Sequence, residues 1–371
     1  MKKRVLQVIG RLGRGGDSVA VFNIMNNMNL EEISFDFVTH EGCDKKLVEE
    51  LKSKGHNVIV LRGDVRALGP VKYYLEIKKV IKEYGPYDII HMHTSMQSGI
   101  AMMAAKHCKI KTRICHSHTA HIQRKVSKFK EIFYIPVLRM LLNHYSTIKV
   151  ACGEDAGKYL FKNKEFKVIN NGIELEKYLS TDSNTINDIV KSLRLKEGEL
   201  VLGQVGRFSE MKNHKFTIEL MEKLAKMKVK VRCIFVGDGV EKDNIIKMAK
   251  EKGVFDFCEF VGHVKNVQDY LHIIDILLLP SLMGEGLPIT LIEAQASNCY
   301  SIASDFVTKE ADLGLGLVKY CSLDSIDDWI ESIKKSNNIK HCETKDIYDV
   351  LKNKKFDNKD AVAEWLSLYM I

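Results

Sequence analysis

No stretch of about 18 consecutive apolar residues occurs in the 371-residue chain, so no segment reads as a bilayer-crossing helix. The apolar run Val5-Leu6-Gln7-Val8-Ile9-Gly10 behind the basic start Met1-Lys2-Lys3-Arg4 is too short for a secretory leader. It lacks a small-residue cleavage site and reads as a first strand. No internal repeat or low-complexity tract stands out. The nine cysteines are scattered, without the paired spacings of a metal site, which points to reduced thiols in a cytoplasmic protein. The glycine turn after the first strand ends in no Gly-Lys-Ser/Thr and lacks the Gly-x-Gly-x-x-Gly spacing, which argues against a P-loop and against a dinucleotide fold.

What is present is ordinary for a globular protein, at 45% hydrophobic and 28% charged residues. The length implies two domains. The net charge of +8 is uneven: residues 1–176 carry 29 Lys and Arg against 18 Asp and Glu, and the remainder 27 against 30. The excess is densest in residues 106–139, where Lys106, Lys109, Lys111, Arg113, Arg124, Lys125, Lys128, Lys130 and Arg139 are opposed by Glu131 alone. Three readings stand: a solvated basic face, a nucleic-acid surface that no recognised module accompanies, and an anionic membrane surface. Phe129, Ile132, Phe133, Ile135, Val137, Leu138 and Met140 interleave with the cations, which suits an interfacial segment.

Short β-type runs alternate with spacers of helical period. In the first half the runs are 4–9, 34–38, 57–61, 88–92, 112–115 and 147–151; in the second, 200–205, 231–236, 257–261, 276–279 and 300–303. Spacers such as 71–84, 216–227 and 242–252 have helical periodicity. Such alternation predicts α/β architecture, here two doubly wound parallel sheets, with ligands at the carboxyl ends of strands. The turn signal Asn170-Asn171-Gly172 marks a boundary. The expected division is residues 1–175 with a terminal helix over 357–371, and residues 176–356. That helix has Ala361, Trp365, Leu366, Leu368 and Tyr369 as its apolar set.

The chemistry concentrates at predicted strand ends. Gly15-Gly16 open a helix after the first strand, where backbone N–H groups can approach a phosphate or hydroxyl. His118 stands in Cys115-His116-Ser117-His118-Thr119-Ala120-His121, without the further ligands of a metal site, and is placed to hydrogen-bond a substrate. His91 and His93 end another strand and read as structural. Gly206 and Arg207 follow a strand and Lys212 precedes a helix; two cations there can neutralise a diphosphate, though surface cations are the plainer alternative. Gly262 sits in a strand-end turn that can present backbone to a flat base. In Gly284-Glu285-Gly286-Leu287-Pro288-Ile289-Thr290-Leu291-Ile292-Glu293-Ala294, a glycine turn with Gly286 and Leu287 feeds a helix. Its N-terminal dipole suits a phosphate, and its two carboxylates suit sugar and ribose hydroxyls. A glutamate there can also be a cap partner only.

Taken in order, these segments resemble the retaining glycosyltransferases of family 4, of the exopolysaccharide and capsule type. The resemblance covers nearly the whole chain. It implies the GT-B fold: two facing Rossmann-like domains, with a C-terminal helix crossing back to the first. It implies roles as well. Gly16 would offer backbone near the donor phosphate and acceptor, and His118 would touch the donor sugar. Arg207 and Lys212 would hold the diphosphate, Glu285 the sugar hydroxyls and Glu293 the ribose; Gly206, Gly262, Gly286 and Leu287 would line the nucleotide site. No metal or other cofactor is expected, in keeping with the lack of a clear Asp-x-Asp site. The expected partners are a nucleoside-diphosphate sugar, of UDP type, and a carbohydrate or lipid-linked acceptor. The expected location is cytoplasmic, at the inner face of the membrane. Two departures bear on this: an extra residue between Pro280-Ser281 and Glu285, and Asp17-Ser18 where the family has a glutamate after its glycine pair.

Rival readings are a same-fold epimerase or phosphorylase, a dinucleotide oxidoreductase without its glycine fingerprint, and a basic scaffold that binds membrane or nucleic acid.

Overall fold

A computed structural model describes the chain except residues 1, 11, 14, 15, 29, 30, 41, 121–129, 283, 284, 337–341 and 371. Of the positions named above, Met1, Gly15, His121, Arg124, Lys125, Lys128, Phe129 and Gly284 lie outside the described residues. The chain divides into two compact units, residues 1–172 with 358–371, and residues 173–357.

Unit 1 contains seven strands: β1 (Lys3–Val8), β2 (Ile33–His40), β3 (Val58–Leu61), β4 (Ile89–Met92), β5 (Thr112–Ser117), β6 (Ile148–Ala151) and β7 (Lys167–Val168). They form one sheet in the order β3-β2-β1-β4-β5-β6-β7, with every pairing parallel. Unit 2 contains β8 (Leu200–Val205), β9 (Val231–Val236), β10 (Cys258–Gly262), β11 (Ile276–Leu279), β12 (Tyr300–Ser304) and β13 (Val318–Cys321). Its sheet is also parallel, in the order β10-β9-β8-β11-β12-β13.

Both orders reverse beside the unit's first strand, at β1/β4 and at β8/β11. Helices leave such a switch point toward opposite faces, and a crevice opens beyond the strand ends where ligands bind. The anticipated doubly wound α/β architecture is therefore observed. Two strands go beyond expectation. β7 is only two residues long and pairs with β6, so it has no period to read. β13 is an edge strand of mixed Val-Lys-Tyr-Cys character.

Unit 1 closes its core with chain from the far end of the sequence. The helix Asn358–Tyr369 contributes Ala361, Val362, Trp365, Leu368 and Tyr369 to a core that includes Val5, Ile9, Phe35 and Phe37. A Cβ on Gly172 would lie 2.6 Å from Asn358 Cα. Only glycine lets the outgoing and returning backbones pass so closely. Among the described residues no helix is long and apolar enough to cross a membrane.

Candidate functional site

In unit 2 the strand-end turns are joined backbone to backbone. Gly206 N donates to Val236 O at 2.9 Å, Phe208 N to Asp238 O at 3.0 Å, and Gly237 N to Gly262 O at 2.8 Å. Gly237 has φ +144°, and a Cβ on it would stand 2.0 Å from Gly206 O, so this approach also requires glycine. Gly206 itself has φ +151°.

Lys212 ends a short helical turn, Glu210–Lys212, after β8. Asn213, left-handed at φ +53°, then starts the helix His214–Lys226. The turn is held from beneath by a buried glutamine. Gln204 Nε2 donates to Lys212 O at 2.7 Å, and Thr217 Oγ1 donates to Gln204 Oε1 at 2.7 Å. The Lys212 ammonium donates to Glu285 Oε1 at 2.7 Å, with the two side chains only 14% and 9% exposed. Ser281 Oγ donates to the same carboxylate oxygen. Leu282 N donates to Met211 O at 2.9 Å. The loops after β8 and β11 are thus tied across the switch point by backbone as well as by charge.

Glu293 lies in the second turn of the helix Ile289–Ala296, which follows Pro288. Its carboxylate accepts a hydrogen bond from the Tyr178 hydroxyl at 2.6 Å. Burial pushes the Glu293 carboxyl above its ordinary value, against the Tyr178 bond and the Lys212 charge, which pull it down. Burial and the Glu293 charge push the Tyr178 phenol far up. Tyr178, from the short helix Leu175–Leu179, is a site residue the sequence reading missed. A lone tyrosine 115 positions from its partner carries no local signal. Gly286 and Leu287 are buried just ahead of the helix start. Ile289 and Thr290 belong to its first turn, where N–H groups lack partners within the helix. Arg207 is exposed and is not drawn into the Lys212–Glu285 pair. Gly262 has φ +85°, and a Cβ there would meet only Lys242 Nζ at 3.7 Å, so its surface is open.

In unit 1, Gly16 is the first residue of the helix Gly16–Asn26. His118 follows β5, with its Nε2 2.8 Å from His93 Nδ1. His91, His93 and His116 each offer a nitrogen within 4.8 Å of the others, as a metal site requires. Both nitrogens of His93 are hydrogen-bonded, so a metal would have to displace one of those bonds, whereas His91 Nε2 and both nitrogens of His116 are buried without a hydrogen-bond partner. Burial pushes all three imidazoles well below their ordinary pKa, which keeps them neutral.

The basic stretch is partly structural. Arg113 donates to the carbonyls of Ile110, Lys111 and Tyr145. Arg139 donates to those of Tyr159 and Leu160. Lys106, Lys109 and Lys111 are exposed, as are Ile132, Phe133, Val137 and Met140, at 62%, 60%, 48% and 61%.

Two doubly wound parallel sheets fit the GT-B class of glycosyltransferases, and family models divide the chain near the same boundary. The model described as Glycosyltransferase Family 4 matches residues 14–177, and the one described as glycosyl transferases group 1 matches residues 185–313. The chain is a glycosyltransferase and belongs to family 4. It is 31% identical over 377 residues to EpsF of Bacillus subtilis (strain 168), a glycosyltransferase by name, covering 100% of this chain and 97% of that one. It is 28% identical over 315 residues to the capsular polysaccharide biosynthesis glycosyltransferase CapH of Staphylococcus aureus, covering 81% of each. The crystal structure of HepE from Anabaena in complex with UDP-glucose shares the fold, with a TM-score of 0.75 at 17% identity over 98% of this chain and 99% of that one.

Proposed function

We propose that this enzyme is a retaining glycosyltransferase that moves a sugar from a UDP-linked donor to a carbohydrate or lipid-linked acceptor in bacterial surface polysaccharide synthesis. The Lys212–Glu285 contact at the β8/β11 switch carries the reading. It sets a cation for a leaving diphosphate against a carboxylate for sugar hydroxyls, at the place where this sheet order opens a crevice. The names of EpsF and CapH and the UDP-glucose held by HepE support the choice of donor and pathway class.

In this mechanism the bond from the sugar C1 to the phosphate oxygen breaks, and its electron pair leaves with the diphosphate. Lys212, Arg207 and the N-terminal end of the helix Ile289–Ala296 stabilise the growing negative charge. Glu285 holds the sugar hydroxyls, Glu293 the ribose, and Gly206, Gly262, Gly286 and Leu287 present backbone to the nucleotide. His118 touches the donor sugar, and Gly16 offers backbone to the donor phosphate and acceptor. The acceptor hydroxyl bonds to C1, and its proton passes to the leaving phosphate, so no side chain acts as nucleophile.

At a hundredfold excess over its Kd, the correct nucleotide sugar should stabilise the native state by about 2.7 kcal/mol. A thermal-shift screen should show this as a rise of roughly 5–10 °C. Release of UDP only when acceptor is added separates a transferase from an epimerase or phosphorylase of the same fold. If no nucleotide sugar moves the melting temperature, the reading is wrong.

Glu293→Gln should abolish donor binding and yet stabilise the protein at neutral pH. The folded-state carboxyl is raised above its ordinary 4.5, so the native protein keeps a proton that the unfolded chain has lost. Stability therefore falls as pH rises through that window. The amide removes this loss while still accepting from Tyr178. Its higher melting temperature should vanish near pH 4, and a lower one at pH 7 would contradict the sign.

The exposed apolar residues Ile132, Phe133, Val137 and Met140 and the exposed Lys106, Lys109 and Lys111, all within residues 106–140, support attachment of unit 1 to anionic lipid near a lipid-linked acceptor. The protein should sediment with anionic vesicles, less so with neutral ones, and less at high salt. Equal partitioning into both would count against it.

A further inference from the structure

Behind His118, unit 1 holds a chain of buried polar groups that the proposed reaction leaves unused. His118 Nε2 is 2.8 Å from His93 Nδ1. His93 Nε2 is 2.9 Å from Gln7 Oε1. Gln7 Nε2 donates to the Tyr369 hydroxyl at 2.8 Å, and that hydroxyl lies 2.8 Å from His91 Nδ1. Gln7, His91 and Tyr369 are fully buried, and His93 nearly so. The chain runs from the end of β5 through β4 and β1 to the last turn of the terminal helix.

Gln7 settles where the protons sit. An amide oxygen only accepts and an amide nitrogen only donates, and a neutral imidazole has one N–H and one lone pair. Because Gln7 Oε1 accepts, His93 carries its proton on Nε2 and its Nδ1 is bare. His118 must then donate from Nε2. On the other side, Gln7 Nε2 donates to the phenol oxygen, so the hydroxyl proton goes to His91 Nδ1. If Gln7 were turned over, every donor in the chain would reverse. Aromatic contacts restrain the rings: His116 stacks on His118 at 4.2 Å and Trp365 on His93 at 5.7 Å.

We propose that Tyr369, acting through Gln7 and His93, is a positioning residue for His118, holding it as the single tautomer with its proton on Nε2. The inference rests on the reading in which His118 meets the donor sugar. A ring whose tautomer and plane are set beforehand loses little freedom when the sugar arrives. Tyr369 accepts from Gln7 and donates onward to His91. With phenylalanine there, Gln7 Nε2 is left buried without an acceptor, a costly state. Turning the amide over gives this N–H an acceptor in His93 Nε2, leaves a carbonyl unpaired in its place, which is the better tolerated of the two, and moves His118 to the other tautomer.

The test is nitrogen-15 NMR of histidine-labelled full-length protein without ligand, which reads each ring's tautomer. In the wild type, His91, His93 and His118 should each carry the proton on Nε2 alone. In Tyr369→Phe, a second tautomer should appear at His93 and His118, with the melting transition retained. The KM for the donor should rise about tenfold, with a smaller change in kcat. A wild-type His118 protonated on Nδ1, or exchanging between tautomers, overturns the proposal even if the variant does not fold. An unchanged His118 tautomer in a folded Tyr369→Phe also overturns it. Because tautomers are read without ligand, failure here is distinct from failure to find a nucleotide-sugar donor, which would remove the proposed function instead.

Discussion

Lys212→Ala should lower kcat/KM about a thousandfold, the upper range for loss of one group that stabilises a developing anion. It should also destabilise the protein, because Glu285 is 9% exposed and would lose its counter-charge. Removing one partner of a buried pair costs about 3 kcal/mol, and the remaining bond from Ser281 Oγ offsets part of that. The two effects can be separated. Lys212→Met with Glu285→Gln removes both charges, and neutral groups of similar shape should restore most of the lost stability. Activity should not return, because the diphosphate still lacks its cation. Urea denaturation reads the first quantity and acceptor-dependent UDP release the second. Full turnover in Lys212→Ala would remove the central element of the mechanism.

Acid should unfold unit 1 before unit 2. Burial holds His91, His93 and His116 well below their ordinary pKa of 6.5. Such a base binds a proton in the unfolded chain but not in the native one, so stability is present above pH 6.5 and is lost as pH falls below it. Each neutral histidine contributes about 1.4 kcal/mol per pH unit there, so three together approach 4 kcal/mol per pH unit. In unit 2 the comparable groups are His214, lowered to about 3 by burial and the Lys212 charge, and the half-buried His272, also lowered by burial. Equilibrium unfolding followed separately at Trp365 and Trp329 between pH 7 and 5 should show the Trp365 transition moving more, with uptake of about three protons. Equal pH slopes for the two transitions would contradict it.

Legibility from sequence followed the range of the interaction. β8 and β11 were readable as short apolar runs ending in glycine or proline. Their order in the sheet then brings Lys212 and Glu285 together, although 73 positions separate them. The same logic failed for Tyr178 and Glu293, because nothing in Leu-Glu-Lys-Tyr-Leu signals a distant carboxylate. His91 and His93 were set aside as structural, yet His93 bonds His118 directly. A clue was present: Gln7 and Gln204 are each the next-to-last residue of their unit's first strand, polar among apolar neighbours. A buried amide in such a place must satisfy both of its ends. Here one orients the histidine chain and the other fixes the backbone of Lys212. In the turn ahead of Glu285, residues 283 and 284 lie outside the described residues, and Glu285 itself meets Lys212.

The return of the helix Asn358–Tyr369 to unit 1 has a consequence for biosynthesis. A ribosome makes β1 first and Tyr369 last among the parts of that core, with all of unit 2 between them. Unit 1 therefore waits, its apolar face open where Trp365 and Tyr369 will sit, until translation has passed residue 369. A nascent chain that stalls in unit 2 also lacks the phenol that orders Gln7. Such a fragment should be both sticky and inactive, which makes prematurely ended copies targets for chaperones and proteases rather than sources of stray sugar transfer.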